Sequence, residues 1–515
     1  MTRTLVLGDP VVALDAETLI PDGAVIVEGS TITAVGPRVL LEQQGPFDEV
    51  IGGPGHLVMP GFINAHYHTE CWTGPGHIGT IFEFSNLLLG SGLQTADEEV
   101  MELLAVYGLI QCIKGGQTST VDAWYGKRDM HLFGTEATLR AYERTGMRTA
   151  LAMSLRDQNT LVHQNDDAFL SQFPADIAAE VRNSPLGYAW DVDAMFAATD
   201  VLMNTWHGRD GRISIILGPD WTPACSDELF RRCRRVADAY GTGFTTHVLE
   251  TRSELMWNLE VYGKPAVKRL HDLGVLGPDV TFSHFVWATD EDLRVFVDSG
   301  AVASSNPGSN LRLSSGICRV KDIMAMGGRI AFGTDGISFS DREDFFQELR
   351  LALYLQRQPD VFEEHRVDSE AVLRAAGTNG AQAVLAAGKL GRLAPGTYAD
   401  LLTVRKDRIF FPPQRYAHTP VLDVLLDRAE ASDIDTVMIH GRVVATGGKV
   451  TTVDEDAVLD RLGEIAEKLY PSSAESLRWL ELALEHLYPR ALPLYQRWYD
   501  LPIAEPAAVY NARVV

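Results

Sequence analysis

Cysteine is scarce in this 515-residue chain: there are five, Cys71, Cys112, Cys225, Cys233 and Cys318, and no two form a CxxC pair. A disulfide framework and a cysteine-based zinc site are therefore not expected, and reduced thiols point to a cytoplasmic protein. No stretch of about 18 apolar residues occurs, so no transmembrane helix is expected. Asp9 and Pro10 cut the N-terminal apolar run short, which argues against a signal peptide. Basic residues are outnumbered, 45 Lys and Arg against 69 Asp and Glu, for a formal net charge of −24. Such a balance disfavours a nucleic-acid partner, whose phosphates need a basic surface. It does not constrain the local charge of a small-molecule pocket. Also missing is a Gly-rich phosphate loop after the first strand–helix unit, which counts against an open doubly wound sheet.

What is present is a regular succession of strands and helices between two β-rich ends. Residues 1–57 read as short strands separated by turns, with Pro21-Asp-Gly23 and Glu28-Gly-Ser30 as punctuation. The same texture returns at residues 397–455, in Asp400-Leu-Leu-Thr-Val404, Thr436-Val-Met-Ile-His440 and Gly441–Gly447. Both ends are expected to build one small β-sandwich. Between them, residues 58–396 hold eight candidate strands that end near His68, Trp124, Arg156, Asp220, Glu250, Trp287, Pro307 and Gly336. Helical stretches such as Glu98–Lys114, Asp227–Tyr240 and Arg252–Asp272 separate them. This alternation predicts an α/β fold with a parallel sheet closed into a (β/α)8 barrel. Residues 456–515 are expected to form a helical extension, Ala457–Tyr470 and Ser476–Leu487, whose tail beyond Tyr488 carries Pro, Tyr and Trp in irregular order and is expected to pack on the barrel or on a neighbouring subunit.

The chemistry-bearing residues fall at the predicted C-terminal strand ends. His66 and His68, in Pro60-Gly-Phe-Ile-Asn-Ala-His-Tyr-His68, stand at i and i+2 and so share one face of a strand. Two imidazoles on one face can reach one metal ion, and they suit Zn(II) or Fe(II). With 14 histidines, chance alone supplies roughly 0.4 such pairs, so the pair needs its context. His247 closes the fifth strand, and Glu250 follows it at the strand–helix junction, where it can shuttle protons or merely favour the helix dipole. His284 ends the sixth strand, and Asp335 the eighth. Each has an ordinary structural explanation alone, but all of them fall at the barrel face where active sites sit.

In this arrangement the chain resembles the amidohydrolase superfamily. The carriers are the opening Pro-Gly-Phe-Ile-Asn-Ala-His-Tyr-His run, His247-Val-Leu-Glu-Thr251, Ser283-His-Phe-Val-Trp287, Asn306-Pro-Gly-Ser-Asn310, Ser315-Gly-Ile317, Gly333-Thr-Asp-Gly-Ile-Ser338 and Gly391–Asp400. Their order is similar to the branch holding S-adenosylhomocysteine/methylthioadenosine deaminases, guanine-type deaminases and triazine chlorohydrolases. The resemblance implies that His66, His68, His247 and Asp335 bind one divalent metal, zinc or iron. It implies that Glu250 is the proton shuttle, and that His284 and Asp335 steady the attacking water and take its proton. Dinuclear relatives place a lysine at the end of strand four; none stands there, which implies a mononuclear site.

The reaction so implied is hydrolytic deamination of a purine, pterin or pyrimidine-type heterocycle. Hydrolysis of an amide, urea, carbamate or C–Cl bond in a small molecule uses the same parts, and a non-catalytic scaffold is the third reading. The substrate is expected to be small, with neither nucleic acid nor membrane as partner; a homo-oligomer is compatible with the aromatic tail. One departure concerns the substrate. In Gly218-Pro-Asp220-Trp221, Asp220 stands where adenosine-type relatives carry a histidine. Asp220 is either a contact to a donor-rich ring or a helix cap, and Arg156 either faces the pocket or pairs outward. Trp72, Phe82, Phe84, Trp124 and Trp221 can stack on a flat substrate or pack in the core, and Asn310 can hold the loop after strand seven or touch the substrate.

Overall fold

The computed structural model describes residues 2–69, 97–125, 131–187, 191–340, 342–357, 366–411, 420–469 and 474–501. Its centre is an eight-stranded parallel sheet: β1 (Phe62–Tyr67), β2 (Gln117–Trp124), β3 (Arg148–Leu155), β4 (Ile213–Pro219), β5 (Phe244–Val248), β6 (Val280–His284), β7 (Val302–Ser305) and β8 (Arg329–Phe332). The spatial order follows the chain order. Just past β8, the Asp335 N–H donates to the His66 carbonyl at 3.0 Å, which draws the last strand against the first. Nearly every residue of these strands is buried, as expected when helices cover the outer face and side chains fill the inside. All eight predicted strands are present.

The helices α1 (Glu98–Lys114) and α2 (Asp227–Tyr240) have the predicted limits, because their ends carry strong signals. The Asp97 carboxylate accepts from the Glu99 and Val100 N–H groups, and Ser226 caps Leu229 in the same way. Gly241 ends α2 in the left-handed conformation. The predicted helix Arg252–Asp272 is instead two: α3 (Arg252–Tyr262) and α4 (Ala266–Asp272). Gly263 turns left-handed at φ 67°, and Pro265, which cannot donate within a helix, starts the second.

The two chain ends meet in a pair of sheets. One is ordered Thr31–Pro37, Gly23–Glu28, Arg3–Gly8, Glu49–Gly52. The other has seven strands and places Leu401–Arg405 between Ile434–Ile439 and His56–Pro60. Val6, Val25, Val27 and Ile32 of the first sheet pack on Val11, Val58, Leu401 and Met438 of the second. The alternate residues Leu57, Met59, Leu402 and Val404 join the barrel's core instead. With a period of two, one sheet therefore faces the sandwich on one side and the barrel on the other. A buried ion pair fastens them: Arg148, at the start of β3, reaches both carboxylate oxygens of Asp400 at 3.1 and 3.2 Å.

The described part of the C-terminal extension is helical, and its last helix lies where the residue order gave no clear pattern. Helix Glu455–Leu469 lies against α1, and the segment from Tyr488 forms α5 (Tyr488–Asp500). Ala491, Tyr495 and Trp498 recur at i, i+4 and i+7 and are all buried. They join Leu161, Phe169, Phe173, Val181 and Trp257 in a second apolar core against the barrel's flank. The prolines at 489 and 493 obscured this stripe; Pro489 sits in the first turn, where its missing N–H costs nothing. Among the described residues no helix is long and apolar enough to cross a membrane.

Candidate metal centre

Three strand ends bring three imidazoles and a carboxylate to one point. His66 lies in β1 and His68 one residue beyond it, with ring centroids 4.6 Å apart. His247 comes from β5, and Asp335 follows β8. His66 Nε2 is 3.0 Å and His68 Nε2 3.3 Å from the same Asp335 oxygen, and His68 Nε2 is 3.2 Å from His247 Nε2. All four residues are buried. The backbone is bent to achieve this. Leu249, His284 and Asp335 have φ of 55°, 69° and 68°, a conformation that costs non-glycine residues free energy and recurs where side chains are aimed at a common point. Gly333 allows the approach of β8 to β1, since a Cβ there would lie 2.8 Å from the His66 backbone.

The donor set fits a divalent cation. His68 Nδ1 lies 2.5 Å from the Ala123 carbonyl and His247 Nδ1 2.7 Å from the Asp220 carbonyl. A carbonyl only accepts, so both Nδ1 atoms carry the proton and both Nε2 atoms present lone pairs. Two lone pairs 3.2 Å apart repel unless a cation is shared between them. Burial pushes His66 and His68 down to about 3, which keeps them neutral donors at neutral pH. Burial also lowers His247, but the hydrogen bond and charge of Asp220 more than offset it, so His247 is the most basic of the set. Burial would raise the Asp335 carboxyl; His284, His66 and His68 together hold it well below the usual carboxylate range. Three imidazoles and one carboxylate suit Zn(II) or Fe(II).

Two further groups face the same point. His284 Nδ1 is 2.9 Å from Asn310 Oδ1, which turns Nε2 toward Glu250 (3.6 Å) and Asp335 (4.0 Å). Burial pushes His284 down to about 4, so it too is neutral. Glu250 is buried; Ser315 Oγ is 3.4 Å from its carboxylate, and its N–H donates to Glu254 at 3.0 Å. A protonatable carboxyl therefore stands across from the candidate ligands, with a neutral imidazole between.

The remaining predicted contacts are distributed unevenly. Arg156 and Asp220 form an ion pair with each other, and the Asp220 carbonyl accepts from both the N–H and Nδ1 of His247. Asp220 therefore orients a candidate ligand rather than capping a helix. Trp124 is completely buried in the main core and lies beside Gly134, away from this point. Trp221 is buried, pairs with His247 through the backbone and meets the His163 ring at 4.6 Å. Trp72, Phe82 and Phe84 lie outside the described residues. Sequence reasoning missed Tyr125 and Ser309. The Tyr125 ring stacks on His68 at 4.6 Å, with its hydroxyl 3.3 Å from His247 Nε2. Ser309 donates to Asp335. The only signals were Tyr125's place just past β2 and Ser309's inside the Asn306–Asn310 run.

Comparison with known proteins agrees with this geometry. A family model described as the amidohydrolase family matches residues 57–444. The chain is 29% identical over 461 residues to a 5'-deoxyadenosine deaminase of Methanosarcina barkeri, covering 87% of this chain and 94% of that protein. Its fold is similar to an adenosine deaminase from Xanthomonas campestris with bound zinc (TM-score 0.76, 21% identity, 91% and 98% of the two chains). It is also similar to an atrazine chlorohydrolase from Arthrobacter aurescens TC1 complexed with zinc (TM-score 0.75, 21% identity, 90% and 99% covered).

Proposed function

Since the chain belongs to the amidohydrolase family, we propose that it is a mononuclear, zinc-dependent hydrolase that deaminates an amino-substituted nitrogen heterocycle. The observation that carries the proposal is the convergence of His66, His68, His247 and Asp335 on one point with Glu250 and His284 beside it. The deaminase relative, matched over 87% of the chain, supports the choice of reaction. The zinc in two structural neighbours supports the choice of metal.

His66, His68, His247 and Asp335 would hold the ion, which when bound lowers the pKa of a water toward about 7 and so supplies a nucleophile at neutral pH. Asp335 accepts the proton of the attacking water, and His284 orients its oxygen. Glu250 gives a proton to the ring nitrogen beside the attacked carbon, then carries one to the departing amine. Asn310 fixes the His284 ring, and Asp220 fixes His247. Trp72, Phe84, Trp221, Arg156, Asp220 and Asn310 remain candidate substrate contacts.

In this reading residues 58–396 carry the chemistry, residues 1–57 and 397–455 form the supporting sandwich, their junction with the barrel falling within the strand His56–Pro60, and residues 456–515 are the C-terminal extension, whose described helix α5 packs on the barrel's flank. A small-molecule substrate, supported by the deaminase relative, and a cytoplasmic setting, supported by the four free, buried cysteines among the described residues, complete it. A homo-oligomer is part of the same proposal. The test is ammonia release by the zinc-loaded protein over purines, pterins, pyrimidines and triazines. Release of chloride or an organic amine instead would move the assignment to C–Cl or amide-type hydrolysis, and absence of any turnover would favour a non-catalytic scaffold.

A further inference from the structure

Glu254 follows Glu250 by one helical turn, as the third residue of α3, and is buried, with 1% of the residue exposed. A glutamate is almost never fully buried unless paired, and this one is satisfied by a backbone N–H and a hydroxyl. One carboxylate oxygen accepts the Glu250 N–H at 3.0 Å, and the other accepts from Thr222 Oγ1 at 2.6 Å. The Asn258 amide donates to the same Thr222 oxygen and to the Glu254 carbonyl, both at 2.9 Å. The Glu254 N–H itself goes to Thr251, the cap of α3. A glutamate at this helix position ordinarily reaches back to the N–H of the cap residue. Here it reaches one residue farther, to Glu250.

Two parts of the metal centre meet at this carboxylate. Thr222 follows Asp220, whose carbonyl accepts the N–H and Nδ1 of His247, and Trp221, which is bridged to the His247 backbone. Leu249, just before Glu250, has φ of 55°, a conformation that a non-glycine residue keeps only when its surroundings hold it. Glu254 therefore ties the end of β4 to the segment that follows β5. Burial pushes its carboxyl up to about 7, against the hydrogen bonds from Thr222, Leu249 and Glu250, so at higher pH it stands as the two-way acceptor. We infer that Glu254 is the positioning residue of the proton shuttle. It fixes the backbone that carries the Glu250 carboxyl, and locks that backbone to the segment that orients His247. The inference rests on the proposed function for the step that Glu250 performs; the placement of Glu250 does not.

Hydrogen exchange and kinetics of the full-length, zinc-loaded protein at pH 8 test it, with Glu254→Ala, Glu254→Gln and Thr222→Val. Alanine removes both acceptor oxygens. Glutamine keeps one for the Glu250 N–H, and its NH2 meets the Thr222 hydroxyl, which can turn to accept it. In Glu254→Ala the Glu250 amide, read by mass spectrometry on overlapping peptides across residues 247–256, should exchange at least about tenfold faster. Its kcat for ammonia release should fall roughly ten- to hundredfold, with KM within about twofold and wild-type metal content. Glutamine should recover most of both losses. Thr222→Val, which cuts only the far anchor, should show the alanine pattern at smaller size, and it decides the matter if the alanine variant does not fold. In a Glu250→Gln background, Glu254→Ala should add no further loss of turnover, because the group it places is already gone. A purely structural residue would lower both backgrounds by the same factor. Wild-type exchange in Glu254→Ala, or an equal loss in both backgrounds, would overturn the inference. A wild type that releases no ammonia refutes the deaminase reading instead, and the exchange comparison alone then decides whether Glu254 places Glu250.

Discussion

Replacing Asp400 by asparagine isolates the fastening between sandwich and barrel. The Arg148 and Asp400 side chains are 5% and 2% exposed, and the guanidinium spans both carboxylate oxygens at 3.1 and 3.2 Å. Asp400 also accepts the His440 N–H at 2.8 Å, so three donors converge on it. Asparagine keeps an oxygen but removes the charge, leaving Arg148 buried beside the cation of Arg212 with no counter-charge. Orphaning one partner of a buried pair costs about 3–5 kcal/mol, whereas losing an exposed pair costs about 0–1 kcal/mol. Equilibrium unfolding in urea, followed by tryptophan fluorescence, should place Asp400→Asn at least about 3 kcal/mol below the wild type. The double variant Arg148→Met/Asp400→Asn should recover much of that loss, because no charge is left unpaired. Turnover by the folded single variant at 25 °C should stay within about twofold, since neither residue faces the metal centre. A loss under about 1 kcal/mol, or a double variant no better than the single one, would refute the buried-pair argument.

Other perturbations separate the parts of the account. Glu250→Gln should retain metal and fold while losing roughly 10²–10⁴ of turnover, measured as ammonia release beside metal analysis. Trp498→Ala should cost about 3–5 kcal/mol by opening the flank core and should be read by thermal unfolding. Chelation should lower the unfolding temperature in a way that added zinc restores, as binding to the native state alone requires. Burial raises Asp292 to about 6, against hydrogen bonds from Thr289 and Val267. Its folded form favours the proton, so its stabilisation is complete below pH 4 and is lost as pH rises through 6. That is about 3 kcal/mol across the window, and Asp292→Asn should flatten the slope there in unfolding measured against pH.

The barrel was legible because buried parallel strands are short apolar runs and helices alternate with them, and because caps such as Asp97 and Ser226 mark helix starts. The candidate ligands were legible because a strand's period of two puts His66 and His68 on one side. The distant contacts were not. Nothing local to Arg156 or Asp220 reveals that they pair with each other, or that the Asp220 backbone, not its side chain, meets His247 most closely. Trp124 and Trp221 are both aromatic residues near a strand end, yet one fills the core and the other lies beside His247's strand; register and packing decide that, not composition. The break between α3 and α4 was readable in Gly263 and Pro265. Helix α5 was hidden because its prolines outweighed a stripe of three buried residues.

The central claim is that four converging side chains hold one metal ion used to release ammonia from a heterocycle. Metal analysis of the purified protein, run with an ammonia-release screen on the same sample, tests it most directly. The account predicts about one zinc per chain, with ammonia from one class of amino-substituted ring and none after chelation. A protein that carries no metal, or that releases ammonia equally well without it, would contradict it.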